Sequence, residues 1–269
     1  VTEQPDLGLF HIPFGKAAFE TIMTEFNLPT TLLQAIVDEE LHFSTTPVPS
    51  KVQLGATGYI LRTASDYFGQ QDLVLAASQP TKGLTTALIF GCIQNPPTLQ
   101  DIEAIDGFLR SFISYIGHPQ LLLSLIAVLQ LGRYKRQEKQ VDIALTAALH
   151  GARLSRLVGN AVRVSKNENP KSKAGDIPYN ELTKIVLEKF TQAESLAQAM
   201  THFGKLLNRV VSTFPIASPQ PPYHEDYTAH IKEYMERTAE KILSLAANNS
   251  LAANRASLLM SSVSTMIVY

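Results

Sequence analysis

The densest group of side chains that could do chemistry is His224-Glu225-Asp226, followed by His230. A four-residue step puts Asp226 and His230 on one helical face, since successive helical positions turn by about 100°. Imidazole nitrogen and carboxylate oxygen are metal ligands, so His224, Asp226 and His230 form the candidate metal set. The competing reading is a capping Asp226 in an acidic first turn, which a helix N-terminus favours on electrostatic grounds alone. A second group carries amides, a hydroxyl and one cation: Asn208 and Ser212, again four apart, then Asn249 and Arg255 within an otherwise apolar segment. A few polar groups converging on an apolar lining describe a ligand pocket, and these four are the candidate cofactor-binding residues. Asn249 has another use, fixing the register of paired helices from within their seam.

Three further clusters have plainer explanations. Asp38-Glu39-Glu40 and the set Asp101, Glu103 and Asp106 offer carboxylates of the kind Mg²⁺ requires. Asp38 and Glu39 are adjacent and splay apart on a helix, however, and the second set falls on a face expected to be exposed. Arg133, Lys135, Arg136 and Lys139 close an apolar helix, either as a phosphate patch or as a solvated last turn complementing the helix dipole. His42 is expected in a loop and His118 at a helix start. Cys92 ends an apolar strand and reads as a small core residue. The chain has no Walker loop, nucleophile elbow, paired Cys-x-x-Cys or dinucleotide fingerprint.

The elements that must position these residues fall into two regions, 1–140 and 141–269, as separate units or as one continuous domain. The first alternates helix and strand. Helices are expected over residues 14–26 and 30–40, separated by Asn27 and Pro29. Strands are expected over 58–64, 72–78 and 84–92, the last two joined by the hairpin loop Gln79-Pro80-Thr81-Lys82-Gly83. Thr98 caps a helix reaching about residue 116, and His118-Pro119 opens another. Leucines and other aliphatics from Leu121 to Leu131 cover nearly every face of that second helix, so it should be buried.

The second region is helical: residues 141–164, then 179–214, then 227–269, with a polar loop over 165–178. Pro215 to Pro222 breaks the chain between two long helices that should lie antiparallel. In the last helix Lys232, Glu233, Glu236, Arg237, Glu240 and Lys241 crowd the first half, while Arg255 is the only charge after Lys241. A 4-3 alternation runs through Ile231, Met235, Thr238, Ile242, Leu245, Asn249, Ala252, Ala256, Leu259, Val263 and Met266. That is a heptad seam, and it predicts a homo-oligomer through this helix unless the same chain covers it. The fold class is therefore mixed α/β, a small sheet with helices followed by long antiparallel helices.

Composition narrows the function classes. The chain has 269 residues, formal charge -1 and 17% charged residues, which gives no basic stripe for nucleic acid. A lone cysteine excludes a disulfide framework within the chain and favours a cytoplasmic setting. The first residues lack a secretory pattern, and no run of about 18 uncharged apolar residues occurs. Membrane contact is expected only if the chain continues beyond Tyr269.

Leu41-His42-Phe43-Ser44, Gly58-Tyr59-Ile60-Leu61-Arg62-Thr63 and Ile116-Gly117-His118-Pro119-Gln120-Leu121-Leu122-Leu123, with Leu129-Gln130-Leu131 behind them, resemble the fungal CorA-like divalent-metal transporter family. The similarity is to its cytosolic portion and covers most of the chain as short scattered matches. It implies an α/β domain, a helical layer, a stalk helix and an oligomer with an assembly or cation-sensing role, Mg²⁺ being the implied ion. The Gly-Met-Asn pore signature and both membrane spans are missing, so transport by this chain alone is not implied. Asn208 and Ser212 also match two positions of the Asn-Ser-acidic triad of class I terpene cyclases, with Ile216 in place of the acidic residue. The aliphatic lining and these isolated polar groups give the alternative: a soluble fungal-type biosynthetic enzyme, such as a noncanonical Mg²⁺-dependent prenyl-diphosphate cyclase, holding a small apolar or diphosphate ligand in a helical chamber.

Overall fold

The computed structural model describes residues 15–37, 41–47, 57–63, 73–80, 85–91, 98–118, 120–164, 179–213 and 225–265. Two short helices come first, α1 (Lys16–Glu25) and α2 (Leu32–Val37). Asn27, with φ of 48°, ends α1: its N–H bonds Thr24 O and the Leu28 N–H bonds Met23 O. That is the left-handed cap in which a short polar residue replaces glycine at little steric cost.

Strands β1 (His42–Pro47), β2 (Thr57–Arg62), β3 (Leu73–Gln79) and β4 (Thr86–Gly91) form one antiparallel meander in that order. Register runs through Ser44–Ile60, Ile60–Ala76 and Leu75–Ile89. The two central strands are buried on both faces, which explains their unbroken apolar runs. Alternate residues point to opposite sides. Ile60, Val74 and Ala76 meet Phe19, Leu28 and Leu32 of the α1–α2 layer, while Tyr59, Leu61 and Leu75 join the core built on the long helices. Arg62 is buried too, and its Nη1 donates to Ala35 O and Ile36 O at 2.9 and 3.0 Å, tying the end of α2 to the sheet. β1 corrects the expectation of a loop at His42. Its sequence, His-Phe-Ser-Thr-Thr-Pro, has no apolar run because an edge strand needs none, and Pro47 suits an edge.

Helix α3 (Leu99–Ser111) starts at Thr98 through a reciprocal capping box. Asp101 N donates to Thr98 Oγ1, and the Thr98 N–H donates to Asp101 Oδ2. A 3₁₀ turn (Ile113–Tyr115) follows, then α4 (Leu121–Val164), α5 (Tyr179–Thr213) and α6 (Glu225–Thr265). α4 is a single helix of 44 residues. The expected break between Lys139 and Val141 does not exist, so residue 140, the expected regional boundary, falls inside a helix. At 1.5 Å per residue α4 is ~66 Å long, far longer than the sheet it packs under.

Helices α5 and α6 lie antiparallel. Ala193 shares a cluster with Ala253, whereas Gly204, further along α5, approaches Leu243, earlier on α6. The seam of α6 is filled by its own chain: Ile231, Met235, Thr238, Ile242, Asn249 and Ala256 are all buried. Gly204 permits a close approach, since a Cβ there would stand 2.8 Å from Leu243 Cγ. Among the described residues no helix is long and apolar enough to cross a membrane.

Candidate functional site

The buried polar chemistry lies at the end of the sheet where β2 finishes, β3 begins and β4 finishes. Arg133 of α4 is 2% exposed there, and Asp101 of α3 is 4% exposed. Arg133 Nη2 stands 3.3 Å from Asp101 Oδ2, and Arg136 Nη2 stands 2.6 Å from Asp101 Oδ1. Burial alone would raise the Asp101 carboxyl. The Thr98 N–H, the Arg136 hydrogen bond and the charges of Arg133 and Arg136 outweigh that and hold it below the usual carboxylate range. Arg133 and Arg136 are three apart on α4 and so share a face, one turn apart. Next to them Thr63 Oγ1 donates to Gln130 Oε1 at 3.2 Å and accepts the Leu73 N–H at 2.8 Å, closing the ends of β2 and β3 against α4.

This geometry overturns two expectations. Asp101 is not on an exposed face; Glu103 and Asp106 are. The basic run is neither a last turn nor a continuous patch, because α4 continues through it and its residues diverge around the helix. Lys135 and Lys139 are exposed, Arg136 is intermediate and Arg133 is buried. Chemically, the trio is a clamp. A carboxylate with both oxygens engaged by guanidinium groups holds α3 against α4.

A second polar group joins the 3₁₀ turn to the start of α6. His118, buried, accepts the Gln120 N–H on Nδ1 at 3.2 Å, which leaves its proton on Nε2, 3.2 Å from Thr228 Oγ1. Burial lowers its pKa to about 4, so the ring is neutral at pH 7. Tyr115 Oη lies 3.0 Å from His230 Nδ1, and its ring packs 4.7 Å from that of Tyr227. Phe112 adds an edge-on contact with Tyr234 at 4.9 Å.

Of the candidate metal set, the structure describes the side chain of His230 alone. His224 lies outside the described residues. α6 begins at Glu225, so Asp226 sits inside its first turn rather than at its cap. His230 is exposed and engaged with Tyr115. Among the described residues no three His, Cys, Asp or Glu side chains are grouped to hold a metal ion. Asp38-Glu39-Glu40 and Cys92 also lie outside the described residues.

The candidate cofactor residues are not brought together. Asn208 and Ser212 are exposed, and Ser212 Oγ donates to Asn208 O and Arg209 O of its own helix. Asn249 is buried, with Nδ2 donating to Leu245 O at 3.1 Å, and Arg255 is exposed. Asn208 and Ser212 lie on one side of the Gly204–Leu243 crossing, Asn249 and Arg255 on the other. A cleft of about 280 Å³ does open between α5 and α6, lined by Phe190, Glu194, Gln198 and His202 with Ser250 and Asn254 among others. None of the four candidates lines it. Residue identities gave no sign of the clamp or the cleft; the Thr98-to-Asp101 spacing and the Arg133–Arg136 step were the usable signals for the first. No family model matches this chain, and no curated protein matches it.

Proposed function

We propose that this chain is a soluble cytoplasmic assembly domain of the type its sequence resembles, the cytosolic portion of CorA-like metal transporters. It performs no covalent chemistry and no transport alone. One observation carries the reading: three long helices run past the sheet as a rod, and the outer surface of the last helix loses its charge along the far half. Leu251 and Leu258 are exposed there, in a stretch whose only charge is Arg255. Exposed leucines on a charge-poor helix face favour contact with other polypeptide over water. The buried Asp101–Arg133 and Thr63–Gln130 pairs bond element to element, which suits a scaffold. The cation-sensing part rests on the resemblance, with Mg²⁺ as the ion. The cleft between α5 and α6 lends the prenyl-diphosphate cyclase alternative no support, because none of Asn208, Ser212, Asn249 and Arg255 lines it.

Light scattering on the full chain, combined with thermal melting with and without Mg²⁺, tests this. The expected result is a mass above that of one 29.6 kDa chain and a melting temperature raised by Mg²⁺, since binding to the native state stabilises it. A strictly monomeric mass with no Mg²⁺ response would overturn the proposal.

A further inference from the structure

The far half of the rod carries a groove and a ridge side by side. The groove is the cleft between α5 and α6, where Ala197 and Ala253 are buried and the exposed Glu194 and Asn254 stand on opposite banks. The ridge is the neighbouring face of α6, where Leu251, Arg255 and Leu258 follow at steps of four and three. Those steps keep all three within a narrow stripe of the helix surface. Leu251 is 51% exposed, Leu258 is 70% exposed, and Arg255 is exposed as well. Small residues let a neighbouring backbone approach the groove, and the leucines supply side chains that would fill it.

Ridge and groove share α6, so the ridge of one chain cannot enter its own groove. The charges point to the same occupant. Arg255 is the only charged residue after Lys241, and Glu194 is the only acidic side chain lining the cleft. Among the described residues neither makes an ion pair. Gly204 meets Leu243 and Ala193 shares a cluster with Ala253, so in this antiparallel register Glu194 and Arg255 lie at nearly the same height of the rod. A chain lying alongside therefore presents its arginine to this glutamate without sliding along the helix.

We propose that a second copy of this chain seats its Leu251–Arg255–Leu258 ridge in the groove floored by Ala197 and Ala253, with its Arg255 paired to Glu194. The inference rests on the assembly reading and names the surface that performs it. The two surfaces differ, so the contact can repeat from copy to copy and close into a ring when the rotation allows.

Sedimentation velocity on the full chain tests the pairing, using Glu194→Arg, Arg255→Glu, both together, and a Leu251→Ser/Leu258→Ser double variant. All four positions are exposed, so circular dichroism should show the fold unchanged. Each single charge reversal should weaken self-association about tenfold, because like charges then face each other across the contact. The double reversal should recover it to within about threefold, and the leucine variant should abolish it. Association equally strong in every variant leaves assembly standing and overturns this interface. Loss in the single variants without recovery in the double overturns the Glu194–Arg255 pairing. A monomer at every concentration overturns the interface and the assembly reading together.

Discussion

The two halves of α6 are built on different terms. The first half packs large side chains: Ile231, Met235 and Ile242 are buried, and Phe108 and Phe112 make ring contacts with Tyr234. Its outer face is finished with charge, Lys232 toward Glu236 and Arg237 to Glu233 at 2.6 Å, each pair four residues apart. The second half buries Ala246, Ala253 and Ala256, small side chains that remove less apolar area from water, and exposes leucines outward. One half is complete within a single chain. The other has a thin core and an unfinished surface, and that contrast is why assembly is assigned to it.

The largest effect should come from the clamp at the sheet end of the molecule. Asp101→Ala leaves Arg133 buried without its carboxylate and removes the α3 cap, so urea unfolding should show a loss of about 3–5 kcal/mol. Arg255→Ala, on the far half, should change monomer stability by less than about 0.5 kcal/mol. Equal losses at the two positions would erase the contrast.

Gly204 marks the crossing between the halves. A β-branched side chain there meets Leu243 and Ala239 O, so Gly204→Val should destabilise by about 1–3 kcal/mol in the same assay. No loss would mean that α5 and α6 are not held this close.

Acid should act on the near half first, through His118. Its folded pKa of about 4 lies below the ordinary value of 6.5, so the unfolded chain binds more protons between those pH values. The stabilisation is fully present above pH 6.5 and lost as pH falls toward 4. At roughly 1.4 kcal/mol per unit the ceiling is about 3 kcal/mol, and partial solvent screening reduces it to about 1–2 kcal/mol. His118→Gln should flatten the slope of stability against pH in that window. A slope unchanged in the variant would place the titration elsewhere.

Where apolar residues form long runs, the fold was legible. β2, β3 and β4 and their antiparallel pairing follow from apolar stretches, and the described part of the α6 seam, from Ile231 to Ala256, is buried or half-buried. The mixed α/β class, with a small early sheet and long later helices, follows from the same signals. β1 escaped because an edge strand exposes half its residues and carries threonine where a core strand carries valine. The unity of α4 escaped because a run of Arg and Lys resembles a helix end, whereas here it is divided around the helix, with Arg133 turned inward to Asp101. That pairing joins residues 32 apart in sequence, and local spacing cannot show it. Asn208 and Ser212 do share a helical face, as their spacing requires, but it is the face turned to solvent.

Amide hydrogen exchange along α6, measured at low and high protein concentration, tests the central contrast most directly. Protection in the first half should be strong and independent of concentration, because its cover comes from the same chain. Protection beyond Lys241 should rise with concentration as a neighbouring copy settles onto the Leu251–Leu258 face. Identical protection of both halves at both concentrations would contradict the account.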